Sequence, residues 1–175
     1  MNVSRSLLFF ALAGTASAVM AADAKSIPEP IAFVKKAAQD GMTEVEVGKV
    51  ALVKSQDPAV RSFAQKMVTD HGKANAELSS IAQAKGMDVP KELDAEHQGM
   101  VDALSAKSGA EFDREYAQHM NMDHSKAIAL FEGASKSSDA ELASFAKKTL
   151  PTLKQHKQLA EKLPGKSSAT PSSGG

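Results

Sequence analysis

Histidine is the residue of this sequence most suited to chemistry, because the chain has five histidines and no cysteine. His71, His124 and His156 fall on the apolar stripes of three different predicted helices. Glu44 lies on the small-residue face of a fourth predicted helix, where its side chain can also point inward. Helical bundles build metal sites from such facing side chains, and imidazole with carboxylate suits iron, zinc, manganese or copper. The sequence therefore predicts a mononuclear site for one of these ions, with Glu44, His71, His124 and His156 as its ligands.

A metal-free interpretation of the same residues stays open. A buried imidazole that hydrogen-bonds to a carbonyl or a carboxylate is a common structural feature, so the four polar groups could also satisfy one another inside the core. The protein would then be a structural or protein-interaction bundle of the cell envelope. The distance between the ring nitrogens distinguishes the two interpretations, because ligand bonds to such an ion are about 2.0–2.2 Å long.

An internal repeat relates two of the candidate ligands. Two twelve-residue segments, offset by 53 positions, are identical at seven positions and share the frame Met-x-x-Asp-His-x-Lys-Ala, with His71 in the first copy and His124 in the second. A duplicated helix pair would place these histidines at equivalent heights. The aspartates of the frame, Asp70 and Asp123, directly precede the histidines and so point about 100° away around the helix. We therefore expect each aspartate to orient a neighbouring imidazole rather than to bind the ion itself.

The methionines and the other histidines give weaker evidence for metal binding than these four residues. Met67 and Met120 each lie four residues before a histidine of the repeat, and thioether with imidazole favours copper, particularly Cu(I). Methionine is also a flexible filler of apolar cores, and core packing is the role we expect here. His97 belongs to a short predicted helix, so we expect it at the surface or in a first helical turn rather than among the ligands.

Motifs of the common enzyme classes are missing from the sequence. It contains no Glu-x-x-His for a carboxylate-bridged di-iron site, no Gly-x-Ser-x-Gly elbow, no phosphate-binding glycine loop and no His-Glu-x-x-His pair. The 21 basic and 21 acidic residues balance, which removes the electrostatic case for binding nucleic acid. No catalytic residue is predicted, and an enzymatic activity would depend on the metal alone.

Helix start and stop signals divide residues 28–163 into four long helices and one short helix. Asp57 supplies an N-cap before proline, and Gly86 supplies a stop signal. Ser108 and Ser138 are each followed three residues later by glutamate, which predicts a capping box at both positions. The expected helices cover about 30–55, 57–85, 93–104, 108–135 and 138–163.

The predicted connections differ in length, and this difference indicates a topology. Two connections are tight, whereas the crossover from the second to the third long helix, about 86–108, is long and contains the short helix. Four amphipathic helices in a small domain bury their stripes as an antiparallel bundle. We therefore predict an all-α, ferritin-like antiparallel four-helix bundle with an extra short helix in the crossover.

The two ends of the sequence differ from the helical part. Residues 1–22 begin with one positive charge at Arg5 and continue through an apolar run into small residues, which is the order of a secretory signal peptide. We expect cleavage near Ala22, a periplasmic protein and no membrane-spanning segment after signal removal. Residues 164–175 are rich in serine, glycine and proline and predict a flexible tail.

Three segments carry a resemblance to a known family: Gly41–Lys49, Phe63–Asn75 and Leu150–His156. They resemble the family called domain of unknown function 4142, and the resemblance covers about residues 31–163. It implies a ferritin-like fold and an exported bacterial protein, since members are often labelled "predicted outer membrane protein". Association with the outer membrane is therefore an added expectation. The family has no established activity, so the resemblance implies no site residues.

Overall fold

The computed structural model describes residues 28–164 of the chain. Its helices are α1 (Pro30–Lys54), α2 (Pro58–Ala84), α3 (Ala95–Ser105), α4 (Gly109–Ala134) and α5 (Ala140–Ala160). Within this range there is no β-strand, and no helix combines the length and apolarity needed to cross a bilayer. The predicted signal peptide lies outside the described residues, as does the predicted tail from position 165 onward.

Both predicted boundaries of α2 are confirmed, together with the residues predicted to start and stop the helix. The Asp57 carboxylate accepts hydrogen bonds from two backbone N–H groups in the first turn of α2. At the other end of this helix, Gly86 adopts a φ of 67°. That left-handed conformation lets the Met87 N–H donate to the Ala82 carbonyl at 2.9 Å, which closes the last turn of α2.

The two predicted capping boxes are wrong in detail. Ser108 is the N-cap of α4, but its hydroxyl makes no capping hydrogen bond, and Glu111 binds the ammonium group of the lysine that precedes the N-cap. The N-cap of α5 is Asp139 rather than Ser138, and its carboxylate accepts from two first-turn N–H groups. A charged oxygen accepts more strongly than a hydroxyl at the positive end of the helix dipole, which explains the second difference.

The crossover between α2 and α4 runs along α1 and returns the chain to the other end of the bundle. The Gln39 side chain donates to the Glu92 carbonyl at 3.0 Å, and the Lys54 ammonium group donates to the Lys107 carbonyl at 3.1 Å. The crossover is therefore parallel to α1, so that α4 starts at the same end as α2. Helix α1 packs against α2 and α4, and α5 packs against α4 and α2. The predicted ferritin-like bundle with a short helix in its crossover is confirmed.

Helices α1 and α2 approach each other most closely along the small-residue face of α1. A Cβ atom added to Gly48 would lie 2.9 Å from Val68 Cγ2 and 3.2 Å from the Ala64 carbonyl oxygen. Only glycine fits at this contact without a shift of the neighbouring helix. The close contact sets the rotation of α1 and so turns Glu44, one turn earlier on the same face, into the interior.

The buried apolar side chains form two separate clusters, and a layer of polar residues lies between them in each long helix. In α2, Met67 belongs to the first cluster and Leu78 to the second, and His71 lies between these two residues. Met67 and Met120 are both fully buried in the first cluster, which confirms the predicted core packing. The polar layer contains one buried histidine from each of α2, α4 and α5, namely His71, His124 and His156, and the buried side chains of Gln39, Thr43 and Glu44 from α1.

Candidate metal centre

Three of the four predicted ligands meet in the polar layer. The ring centroids of His71, His124 and His156 are 5.5, 5.4 and 5.4 Å apart in the three pairs. Each ring offers a nitrogen that lies within 4.8 Å of the nitrogens offered by the other two. The three side chains are buried, with His124 and His156 only 1% exposed. We refer to His71, His124 and His156 together as the histidine triangle.

Each ring of the triangle contains one buried nitrogen that has no hydrogen-bond partner among the described residues. These atoms are His71 Nε2, His124 Nε2 and His156 Nδ1. A buried polar atom without a partner costs about 1–3 kcal/mol, and folded proteins leave few such atoms. Three of them on adjoining rings form a set of nitrogen donors that one metal ion could satisfy.

The other nitrogen of two rings is held in place by a defined acceptor. His124 Nδ1 donates to the Met120 carbonyl at 2.8 Å, which leaves the lone pair on Nε2. His156 Nε2 lies 3.0 Å from Asp70 Oδ2, and donation to this carboxylate leaves the lone pair on Nδ1. Metal-binding histidines are oriented by contacts of this kind. The prediction that Asp70 orients a neighbouring imidazole is confirmed.

Burial keeps the imidazoles of the triangle neutral. It lowers the pKa of His124 to about 4, although the hydrogen bond to Met120 acts in the opposite direction. Burial, together with the two neighbouring imidazoles, lowers the pKa of His71 well below its ordinary value. Burial also lowers the pKa of His156, despite its contact with Asp70. Neutral imidazole is the form that binds metal, so the three rings are ready to act as ligands near pH 7.

Asp70 remains ionised beside the triangle because it has a cationic partner. Lys66, one turn earlier in α2, lies 2.8 Å from the same Oδ2 atom. Burial alone would raise the pKa of Asp70, but the hydrogen bonds from Lys66 and His156 bring it below the ordinary value. Sequence reasoning missed Lys66, although its spacing of four from Asp70 is the signal of such a helical pair.

Glu44 lies next to the triangle but outside it. The group of close donor atoms found among the described residues contains the three histidines alone. Glu44 Oε1 is 3.9 Å from His124 Nδ1, the nitrogen that donates to the Met120 carbonyl, and Glu44 Oε2 is buried without a partner in the described part of the chain. Burial raises the pKa of Glu44 well above its ordinary value, and the nearby charges of Asp123 and Asp40 raise it further.

The two remaining histidines lie away from the triangle, beside carboxylates. His97 is in the first turn of α3, as predicted, with Nδ1 2.7 Å from Asp94 Oδ1 and Nε2 3.2 Å from Asp40 Oδ1. His119 Nε2 lies 3.1 Å from Asp123 Oδ2, one turn later in α4. Asp123 therefore contacts a histidine of its own helix rather than one of the triangle.

A cavity of about 100 Å³ adjoins the triangle, and sequence reasoning did not predict it. Its lining includes His71, His124 and Glu44.

Sequence reasoning also did not predict that the Met120 carbonyl orients His124. The only sequence signal for this hydrogen bond is that Met120 lies four residues before His124. At that spacing a side chain within a helix can reach back to the carbonyl of the preceding turn.

Fold and site together define a ferritin-like helical bundle with three buried histidines that could hold a metal ion. The chain belongs to the family described as "Domain of unknown function (DUF4142)", whose model matches residues 15–163. The resemblance predicted from the sequence is thereby confirmed.

One solved structure extends this likeness. The chain is similar to the crystal structure of a DUF305 fragment from Deinococcus radiodurans, with a TM-score of 0.67 and 19% sequence identity. The match covers 78% of this chain and 95% of the other. At that identity the likeness shows the fold alone. Among curated proteins, no match is found.

Proposed function

We propose that this protein is an exported metal-binding bundle that binds one transition-metal ion at the histidine triangle and acts in metal handling or stress protection. The observation that carries the proposal is the set of three unpartnered nitrogens on adjoining buried rings. A purely structural histidine cluster would pair these nitrogens with one another or with nearby acceptors, since each unpaired atom reduces stability.

The donor set favours copper or zinc among the four candidate ions. Imidazole suits both metals, whereas manganese prefers carboxylate and other oxygen ligands. The group of close donor atoms contains no carboxylate, and Glu44 Oε1 lies 3.9 Å from His124 Nδ1, outside that group. For a given set of nitrogen donors, copper and zinc also bind more tightly than manganese or iron(II). We therefore expect copper or zinc to bind ahead of iron and manganese.

The place of action in this proposal is the periplasm, supported by the signal-peptide order of residues 1–22. Association with the outer membrane, which the family label suggests, is the alternative location. Mass spectrometry of protein expressed with its own signal is expected to find a mature N-terminus within a few residues of Ala22. An intact N-terminus in the membrane fraction would contradict export as a free periplasmic protein.

Metal binding is tested by thermal unfolding with added zinc or copper. An ion at about 100 times its dissociation constant adds roughly 2.7 kcal/mol to the free energy of unfolding. For a domain of this size we expect the melting temperature to rise by several degrees. His71→Ala should abolish this rise, whereas His97→Ala, the matched control outside the triangle, should retain it.

Two outcomes would replace the proposal with the metal-free alternative. The first is that no ion among copper, zinc, iron and manganese changes the melting temperature of the unaltered protein. The second is that His71→Ala and His97→Ala respond equally to metal. In either case the polar layer would be structural, and a role as a structural or protein-interaction bundle of the cell envelope would follow.

Elemental analysis of the exported protein is expected to find one metal ion per chain.

A further inference from the structure

Two openings border the histidine triangle. The first is the cavity of about 100 Å³, whose lining comes from all five helices and includes His71 and His124. The second is a groove between α2 and α5, whose lining includes His71 and His156. A buried metal site needs an entry path, so these two openings are the candidate routes to the triangle.

The cavity extends from the buried rings to the surface. His124 is 1% exposed, whereas the Lys36 and Lys126 side chains of the same lining are 53% and 59% exposed. One water molecule needs roughly 10–15 Å³ on the same type of measure. The cavity therefore has room for a metal ion that keeps part of its water shell.

The lining of the cavity also contains buried polar atoms that have no partner in the described part of the chain. Glu44 Oε2, His71 Nε2 and His124 Nε2 are such atoms, and their residues are 5%, 9% and 1% exposed. Oxygen and nitrogen atoms with free lone pairs are what a cation binds as it gives up water. The cavity thus offers a cation unpaired ligand atoms of the interior as well as a way in.

Acidic groups outnumber basic groups in the cavity. Its charged side chains are the carboxyl groups of Asp40, Glu44, Glu96 and Asp123 and the ammonium groups of Lys36 and Lys126. Lys36 lies 3.1 Å from Asp40, and Lys126 lies 3.3 Å from Asp123, so each lysine is balanced within the lining.

Beyond these two pairs, the mouth of the cavity carries an unbalanced negative charge. Glu96 is exposed, and its carboxylate has no partner in the described part of the chain. His97 also lines the cavity, but Asp94, 2.7 Å from its ring, balances the charge that His97 gains on protonation. A cleft with excess charge of one sign raises the local concentration of ions of the opposite sign. The cavity therefore favours the entry of cations.

The groove has the opposite charge. Its lysines outnumber its acidic residues, which are Asp70 and Glu77 against Lys66, Lys73 and Lys148. Lys66 pairs with Asp70 at 2.8 Å and Lys148 with Glu77 at 2.9 Å. Lys73 is exposed and has no partner in the part of the chain that the structure describes. The unbalanced charge of the groove is therefore positive, which disfavours the approach of a cation.

The groove also reaches His156 beside a nitrogen that is already used. Asp70 and Lys66 line the groove with this histidine, and Asp70 accepts the hydrogen bond from His156 Nε2 at 3.0 Å. A cation on this side would meet an ammonium group and an N–H group before it met a free lone pair. Charge and hydrogen bonding thus both distinguish the two openings.

We propose that the cavity is the entrance of the metal site, through which a transition-metal cation reaches and leaves the histidine triangle, and that the groove is not. This proposal rests on the proposed metal binding at the triangle. The cation enters past Glu96 and passes the unpaired carboxyl oxygen of Glu44 on its way to His71 and His124.

The experiment measures how fast Co²⁺ binds and leaves, because bound Co²⁺ has visible absorption bands. Stopped-flow mixing gives the association rate constant, and transfer to excess EDTA gives the dissociation rate constant. Ala127→Leu fills the cavity lining, so we expect both constants to fall roughly tenfold or more, since the metal then passes only when packed side chains move. The dissociation constant, which is their ratio, should stay the same. Thr152→Leu, the matched change in the groove lining, should leave both rates unaltered.

A second set of variants tests the charge of the entrance. Glu96→Gln should slow association roughly twofold at low salt and have no effect at high salt, as expected for the loss of one screened charge. Asp88→Asn, which changes the net charge equally at an exposed position outside both linings, should not slow it. Lys73→Gln should not accelerate it.

The possible failures are distinguishable. If Co²⁺ does not bind to the unaltered protein, the proposed function fails and this inference fails with it. If Co²⁺ binds but Ala127→Leu leaves both rates unaltered, or changes the dissociation rate alone, only the inference is overturned. It is also overturned if Thr152→Leu is the slow variant or if Lys73→Gln accelerates association. Ala37→Val, a second change in the cavity lining, gives the same test should Ala127→Leu fail to fold.

Discussion

The histidine triangle and His97 show two different uses of the same side chain. Both nitrogens of His97 lie near carboxylates, at 2.7 Å from Asp94 and 3.2 Å from Asp40. Burial alone would lower the pKa of His97, but these two contacts raise it above the ordinary value. In the triangle the balance is reversed, since burial lowers the pKa of all three rings and one nitrogen of each has no partner among the described residues.

The difference teaches how a structural histidine can be told from a candidate ligand. His97 contacts Asp40 of α1 through Nε2 and Asp94, the N-cap of its own helix, through Nδ1. Both of its nitrogens are thus paired within the protein, and the contact with Asp40 holds the crossover against α1. The triangle keeps three neutral rings with unpaired nitrogens in the core, an arrangement that reduces stability unless something else binds there. A candidate ligand site is thus indicated by several unpaired nitrogens on adjoining rings, not by burial alone.

The largest expected effect is a loss of stability in mild acid that originates in the triangle. His124 is neutral in the folded protein down to a pKa of about 4, whereas in the unfolded chain it takes up a proton near 6.5. The unfolded state therefore binds more protons between these values, so the free energy of unfolding falls as pH decreases from 6.5 to 4. For His124 alone the full decrease is roughly 3 kcal/mol. Urea unfolding of metal-free protein at several pH values measures it.

The control for this prediction is a comparison of two variants. His124→Phe should make the free energy of unfolding less dependent on pH in this range, whereas His97→Ala should not. The raised pKa of Glu44 has the opposite effect, since its contribution decreases as pH rises through the ordinary carboxyl value. A pH dependence of the free energy of unfolding from 6.5 to 5 that is the same in His124→Phe and in the unaltered protein would contradict the neutral state assigned to His124.

A smaller effect is expected when the carboxylate behind the triangle is neutralised. Asp70→Asn removes the charged acceptor of the His156 N–H, and loss of such an outer contact typically weakens metal binding by 10–100-fold. Asp40→Asn is the matched change, because it alters the carboxylate that contacts His97. Calorimetric titration with zinc should show the weakening in the first variant only. Equal affinities in the two variants would mean that Asp70 does not orient a metal ligand.

The smallest expected effect is a local loosening of the crossover. His97→Ala should lower the free energy of unfolding by about 1 kcal/mol or less, as expected for lost hydrogen bonds at a partly exposed site. Because the pKa of His97 is raised in the folded state, its contribution is present below about pH 6.5 and is lost as pH rises through the folded value.

Amide hydrogen exchange of α3 measures this loosening. Protection factors for residues 95–105 should decrease in His97→Ala, and in the unaltered protein they should decrease as pH is raised above neutrality. Protection in α2 and α5, which carry two members of the triangle, should stay the same. Protection of α3 that is equal in both proteins at every pH would show that the contacts of His97 do not hold the crossover.

Much of the fold follows from local patterns in the sequence. The period of the apolar residues placed Glu44 and three histidines on inward faces, and all four side chains are buried. Asp57 and Gly86 marked the ends of α2 because a cap and a left-handed turn need only neighbouring residues. The capping boxes were less predictable, since two adjacent polar residues such as Ser138 and Asp139 compete for the same position.

Within the site, the sequence by itself determined which residues enter the core, and only the tertiary structure decided which of them meet. Helical periodicity sets the direction of a side chain relative to its own helix, so His71, His124 and His156 could be assigned to the interior. The distance between side chains on different helices depends on the rotation and separation of those helices. Close contacts such as that of Gly48 with α2 set these quantities, and no local pattern contains them. For that reason the separation of Glu44 from the triangle and the cavity beside it became visible only in the folded chain.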